Sequence, residues 1–171
     1  MDDATFTRKL PQTRIATLFV GINWTSFALF VSMALFGVFV GPGNGLLPIH
    51  IAMGLATSLI GMFGLVGAMF YLITTGAAVR EAVEEHNLPM ELYARTRQLK
   101  KDTFPWCMAA ILVMLVTTVV GAGVQVDKIP GYIHMVLAVI TLIVYLKAIL
   151  QMKKDFYKNR LIMADVLDSI D

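Results

Sequence analysis

Hydrophobic residues along the chain fall into four long runs that are separated by short segments rich in glycine, proline or charge. No Asp, Glu, Lys or Arg occurs from Ile15 to Val79 or from Thr103 to Val126. A helix needs about 20 apolar residues to cross a bilayer core of roughly 30 Å. The pattern therefore predicts a single all-α integral membrane domain, 1–171, with transmembrane helices at about 14–40, 46–79, 104–124 and 129–150.

The segments between the runs carry the signals that end and start helices. The turn 41–45 combines three glycines with Pro42, so it cannot continue a helix. Residues 80–103 are predicted as a polar loop in which a short amphipathic helix begins near Pro89. Residues 151–171 form a charged tail, whose spaced apolar positions favour a helix that either continues into water or lies on the membrane.

Basic residues are distributed very unevenly between the two ends of the predicted spans. Of the 14 Lys and Arg residues, only Lys128 lies on the side of the two hairpin tips. The others lie in the N-terminal tail (with Arg8 and Lys9), in the loop 80–103 and around the tail 151–171. The positive-inside rule assigns this basic side to the cytoplasm. We therefore expect both termini in the cytoplasm and both hairpin tips outside.

Composition and motifs remove several classes of function. The chain is 57% hydrophobic and only 15% charged, which is unlike a soluble domain. Its single cysteine, Cys107, excludes an intramolecular disulfide and a cysteine-based metal cluster. No Ser/His/Asp arrangement, carboxylate pair or phosphate-binding loop is present, so we expect neither an independent enzyme nor a nucleic-acid partner. The predicted partners are the lipid bilayer, other membrane protein subunits and further copies of the chain.

Two histidines follow the two hairpin turns at the same spacing. His134 lies 84 positions after His50, and the same offset carries Gly37 onto Gly121 and Thr57 onto Thr141. This predicts two hairpins of like orientation, a parallel repeat, that form a four-helix bundle. Spans two and four would then be diagonally opposite, with both histidines at one depth near the outer face.

The histidine pair supports several chemistries. Two imidazoles facing one axis can supply both axial ligands of a haem b, which predicts a small subunit of an electron-transfer complex. The same pair could ligate copper with Met53 and Met135 as sulfur neighbours, bind a quinone, or bind a chlorophyll-type pigment. Histidines near the interface are also readily solvated without any cofactor. The alternative is therefore a cofactor-free structural or accessory subunit that binds a larger membrane protein complex.

Small and amphipathic residues predict how the helices pack. Asn23 is expected to bond across helices, Trp106 to anchor an interface, and Lys147 to extend its ammonium group towards water. One surface of the second span is rich in small residues, which favours close helix packing; its members are Gly54, Ser58, Gly61, Gly64, Gly67 and Ala68.

Three short motifs carry a resemblance. Parts of the chain resemble a group of uncharacterised four-span bacterial inner-membrane proteins. The motifs that carry the resemblance are Thr75-Gly76 with Arg80-Glu81, the stretch from Leu92 to Lys101, and Phe104-Pro105-Trp106. The resemblance covers about a third of the chain and implies the four-span topology and a bacterial inner membrane, but no activity. In that group the third span tends to end in a histidine, where this chain has Gln125.

Overall fold

Four helices make up the computed structural model of the chain, which describes residues 14–40 and 45–170. The helices are α1 (Arg14–Gly37), α2 (Leu47–Glu85), α3 (Met90–Gln125) and α4 (Gly131–Ile170). Each is long and apolar enough to cross a membrane. The prediction of an all-α, four-span integral membrane protein is therefore confirmed. The interpretations of the N-terminal tail 1–13 and of the turn residues 41–44 lie outside the described residues.

The helices pack as a bundle in which α2 and α4 are diagonally opposite. Each helix contacts its two neighbours around the bundle, and α2 also contacts α4 across it. Within 14–40 and 45–170, α1 and α3 do not meet. Because the chain reverses at each short connection, α2 and α4 run in the same direction. Their N-terminal turns therefore lie at one end, which we call the histidine end.

The polar stretch 80–103 is helical rather than a loop. Helix α2 continues to Glu85 and α3 already begins at Met90, so the loop prediction holds only for residues 86–89. The physical reason is a second hydrophobic cluster, separate from the main core around Leu65 and Tyr145, that apolar side chains from three helices form at this end of the bundle. Its buried members are Val79, Val83, Leu92, Leu99, Ile162 and Val166. Burial of these side chains holds the polar segments in helical form.

Helices α2, α3 and α4 extend well beyond the length that a bilayer requires. At 1.5 Å per residue, α2 and α4 are each about 60 Å long, whereas α1 is about 36 Å long. The fourth helix runs through the tail 151–170 without a break. The bundle therefore has a four-helix membrane part and a three-helix extension, and we call the end with this extension the basic end.

The glycines of α2 let α1 approach closely. A Cβ atom added to Gly64 would lie 2.7 Å from Nδ2 of Asn23, and one added to Gly61 would lie 2.7 Å from Oγ of Ser26. These contacts confirm the packing role that we predicted for this face. Gly54 is the exception, since no atom lies within 4 Å of its added Cβ.

Asn23 joins α1 to α4 in the middle of the bundle. The hydroxyl of Tyr145, a fully buried residue, donates a hydrogen bond to Oδ1 of Asn23 at 3.0 Å. The amide of Asn23 donates to the carbonyl oxygen of Phe19 at 2.8 Å. A buried amide needs such partners because water is not available inside a membrane protein. The predicted cross-helix bond of Asn23 is therefore confirmed.

Asp155 is a buried carboxylate that the sequence did not single out. Its Oδ2 accepts hydrogen bonds from Oγ1 of Thr103 at 2.7 Å and from Nε2 of Gln151 at 2.8 Å. Its Oδ1 has no hydrogen-bond partner in the part of the chain that the structure describes, but Nζ of Lys158 lies 3.7 Å away. The side chain is fully buried. Asp155 thereby links α3 to α4.

Candidate functional site

The histidine end brings His50 and His134 to the same level. Each is the fourth residue of its helix, since α2 begins at Leu47 and α4 at Gly131. A proline helps to set both starts: Pro48 occupies the first turn of α2, and Pro130 directly precedes α4. The matched positions follow from two similar turn-to-helix junctions.

The two imidazole rings lie edge to face next to each other across the bundle. Their centroids are 6.3 Å apart and their planes are nearly perpendicular, at 87°. The rings come from the diagonal pair α2 and α4, which are the two helices that meet near the bundle axis. The sequence-based expectation that the two histidines lie together at one depth agrees with this geometry.

A glycine on the preceding helix makes room for each ring. A Cβ atom added to Gly37 would lie 3.0 Å from Cε1 of His50, and one added to Gly121 would lie 2.9 Å from Cε1 of His134. Any side chain at either position would push the imidazole away. The same ring-to-glycine contact therefore occurs in both hairpins, at positions that share one offset in the sequence.

The ring nitrogens of the two histidines differ in their partners. Nδ1 of His134 lies 3.1 Å from the carbonyl oxygen of Thr117. A carbonyl can only accept, so this bond assigns the proton to Nδ1 and leaves a lone pair on Nε2. Nδ1 of His50 is buried and has no hydrogen-bond partner among residues 14–40 and 45–170. The His50 ring contacts Phe36 instead, at 6.2 Å between centroids.

The carbonyl group next to His134 belongs to one of two threonines that are hydrogen-bonded to each other. The hydroxyls of Thr117 and Thr141 lie 2.7 Å apart, and both side chains are buried. Thr117 was not identified from the sequence, although it precedes Gly121 by one helical turn and so shares its face. That spacing is the signal that could have identified it. The sequence singled out Thr141 only because it lies 84 positions after Thr57, the offset that also relates the two histidines. Thr57 is also buried.

The sulfur neighbours proposed for a copper site are on the outside of the bundle. Met53 and Met135 are both exposed, and Met135 lines a surface groove with Tyr132 and Val136. No group of three or more His, Cys, Asp or Glu side chains that could hold a metal ion occurs in the described part of the chain. The geometry therefore offers two imidazoles, each a metal ligand or a hydrogen-bonding group, in an apolar setting.

Comparison of the chain with models of known protein families, with curated proteins and with solved structures finds no match. The four long apolar helices by themselves establish an integral membrane protein built as a helical bundle.

Proposed function

We propose that this protein is a small integral-membrane subunit of an electron-transfer complex, in which His50 and His134 ligate the iron of one haem b. The observation that carries the proposal is the 6.3 Å separation of the two adjacent rings. At this separation His50 and His134 would be close enough for both imidazoles to hold one iron atom. The separation of the two rings therefore matches a shared metal ion.

The chemistry of the donors also fits a haem. A haem iron takes four nitrogen ligands from the porphyrin, so two imidazoles complete its coordination. The bond from Nδ1 of His134 to the Thr117 carbonyl orients the ring and leaves the lone pair of Nε2 available to a metal ion. Among the described residues no hydrogen bond engages Nδ1 of His50, so this nitrogen is available to a ligand.

The glycines next to the rings set the positions of the two proposed ligands. Gly37 and Gly121 place side-chain-free backbone beside the two imidazoles, and any side chain there would displace the rings. When bound, the haem would supply a one-electron iron couple. The chain would ligate it, orient it and keep water away from it.

The proposal includes an internal repeat of two parallel hairpins. Buried positions recur at the same offset as the histidines. Phe30 and Met114 are both buried, and so are Leu65 and Ile149. A two-fold pseudo-symmetry axis along the membrane normal would relate the two hairpins and pass between the imidazoles. Such an axis accounts for two equivalent ligands on one cofactor.

We further propose the bacterial inner membrane as the location, with both termini in the cytoplasm and the histidine end outside. The support is the distribution of Lys and Arg. A reporter enzyme that is active only outside the cytoplasm should be active when fused after Asn44 and inactive when fused after His86. The reverse pattern would place the histidine end on the cytoplasmic side.

Absorption spectroscopy of the purified protein tests the haem directly. Protein from haem-replete cells is expected to show a Soret band and, after dithionite reduction, an α band. His50→Ala or His134→Ala should remove both bands, because one of the two side chains that would hold the haem is lost. His86→Ala is the matched control: this exposed histidine lies in the α2–α3 connection, and its loss should leave the spectrum unchanged.

A colourless wild-type protein from such cells, or bands that survive both substitutions, would refute the haem. Metal analysis of the same sample would then test whether the histidines hold copper instead. A colourless, metal-free protein that co-purifies with a larger complex in mild detergent would favour the accessory subunit without a cofactor.

A further inference from the structure

A stripe of basic and amide side chains runs down one face of α4 towards the basic end. The stripe consists of four residues on one side of the helix, at successive spacings of four, three and four: Lys147, Gln151, Lys154 and Lys158. We call these four residues the lysine stripe. The stripe begins in the apolar part of α4 and continues into its polar extension.

Trp106 places the upper end of the stripe at the membrane boundary. Nζ of Lys147 lies 5.4 Å from the centroid of the Trp106 ring on the neighbouring helix α3. Tryptophan is enriched at the level of lipid head groups, and lysines at span ends extend towards the same level. Lys154 lies about 10 Å farther along the helix axis. The stripe therefore crosses the head-group layer.

Two ammonium groups of the stripe are available to an anion. Lys158 is paired with Asp155, and Gln151 donates to the same carboxylate. Lys147 and Lys154 form no ion pair with any carboxylate in the part of the chain that the structure describes. Both side chains are exposed. A single phosphate group placed between them would neutralise positive charge from both sides.

An apolar track continues from the stripe into the membrane. Ile143 and Ile140 lie one and two turns above Lys147 on the same face, and both are exposed. Ile140 also lines a surface groove of about 300 Å³ together with Tyr132, Met135, Val136 and Val139. A lipid acyl chain whose head group binds at the lysine stripe can thus lie along α4 towards the bilayer centre.

We propose that this face of α3 and α4 binds an anionic phospholipid. Its phosphate lies between Lys147 and Lys154, its glycerol region contacts Trp106, and one acyl chain follows Ile143 and Ile140 to the groove. A zwitterionic lipid can occupy the apolar track equally well. Only a lipid with net negative charge also compensates the two unpaired ammonium groups.

Native mass spectrometry of the full chain, released from micelles with added lipid, tests the site. The wild type is expected to retain phosphatidylglycerol in preference to phosphatidylcholine. Each basic group at the surface contributes about fivefold to the binding of anionic lipid. Lys147→Gln with Lys154→Gln should therefore lower the retention of phosphatidylglycerol by roughly 25-fold and leave that of phosphatidylcholine unchanged.

The control is the pair Lys101→Gln and Lys153→Gln, which removes the same charge from other faces of α3 and α4 and should retain the lipid. Equal losses in both double variants, or no loss in the first, would refute the site. Inorganic phosphate should not compete with the lipid; competition would assign the lysines to a soluble phosphate instead. These outcomes do not depend on whether a haem is bound.

Discussion

Gly64→Leu is expected to lower the free energy of unfolding by about 3 kcal/mol, because overpacking a close helix contact forces the helices apart. Even a Cβ atom at Gly64 would lie 2.7 Å from Nδ2 of Asn23 and 3.0 Å from Cγ2 of Ile22. Both atoms belong to α1, and Asn23 is fully buried and bonded to Tyr145. Helix α1 must therefore shift, and the Asn23–Tyr145 bond should break with it.

Gly54→Leu is the matched control for this prediction. Gly54 lies on the same helix as Gly64. Among the described residues, however, no atom outside the adjoining backbone of α2 lies within 4 Å of the Cβ that the substitution adds. Both substitutions gain the same helix propensity, so their difference isolates the contact with α1. Unfolding by SDS in mixed micelles, followed by circular dichroism, provides the measurement. Equal stability of the two variants would show that α1 does not pack against Gly64.

Asp155→Ala is expected to lower the free energy of unfolding by about 3 kcal/mol, since hydrogen bonds to a charged group contribute about 1.5–3 kcal/mol each. The substitution leaves the Thr103 hydroxyl and the Gln151 amide without their acceptor, and Lys158 without its partner. The destabilisation should concentrate at the basic end. Hydrogen exchange of the amides in 80–103 and 151–170 should therefore accelerate more than exchange around His50.

Glu84→Ala serves as the control for the carboxylate. Glu84 pairs with Arg80 on the surface of α2, where both side chains are more than half exposed. An exposed pair of this kind contributes about 0.5 kcal/mol or less. A double-mutant cycle of Thr103→Ala with Asp155→Ala should also show strong coupling between the two residues. Unchanged stability of Asp155→Ala would mean that the carboxylate is not held as the contacts indicate.

Helix number and membrane character could be predicted because they depend on properties that are local along the chain. Charge-free runs such as Ile15 to Val79 are long enough to span a bilayer, whatever packs against them. The equal depth of His50 and His134 could also be predicted from the sequence, because residues at equal offsets after similar turns lie at equal depths in parallel helices.

The continuation of α2 and α3 through the polar stretch 80–103 could not be predicted in the same way. A polar segment with spaced apolar residues suits a loop, a separate short helix or an extended helix. The outcome depends on whether Val79, Leu99 and Ile162 meet partners. Those partners come from three different helices, so only their assembly selects the extended form.

By itself, the sequence determined four membrane-crossing helices, a strongly basic end and a pair of histidines at equal depth. Only the tertiary structure decided that the two imidazoles lie edge to face beside Gly37 and Gly121, and that Asp155 is buried between α3 and α4. The physical reason is rotation about the helix axis. Spacing along the chain sets how deep a side chain lies, whereas the packing of all four helices sets the direction in which it points.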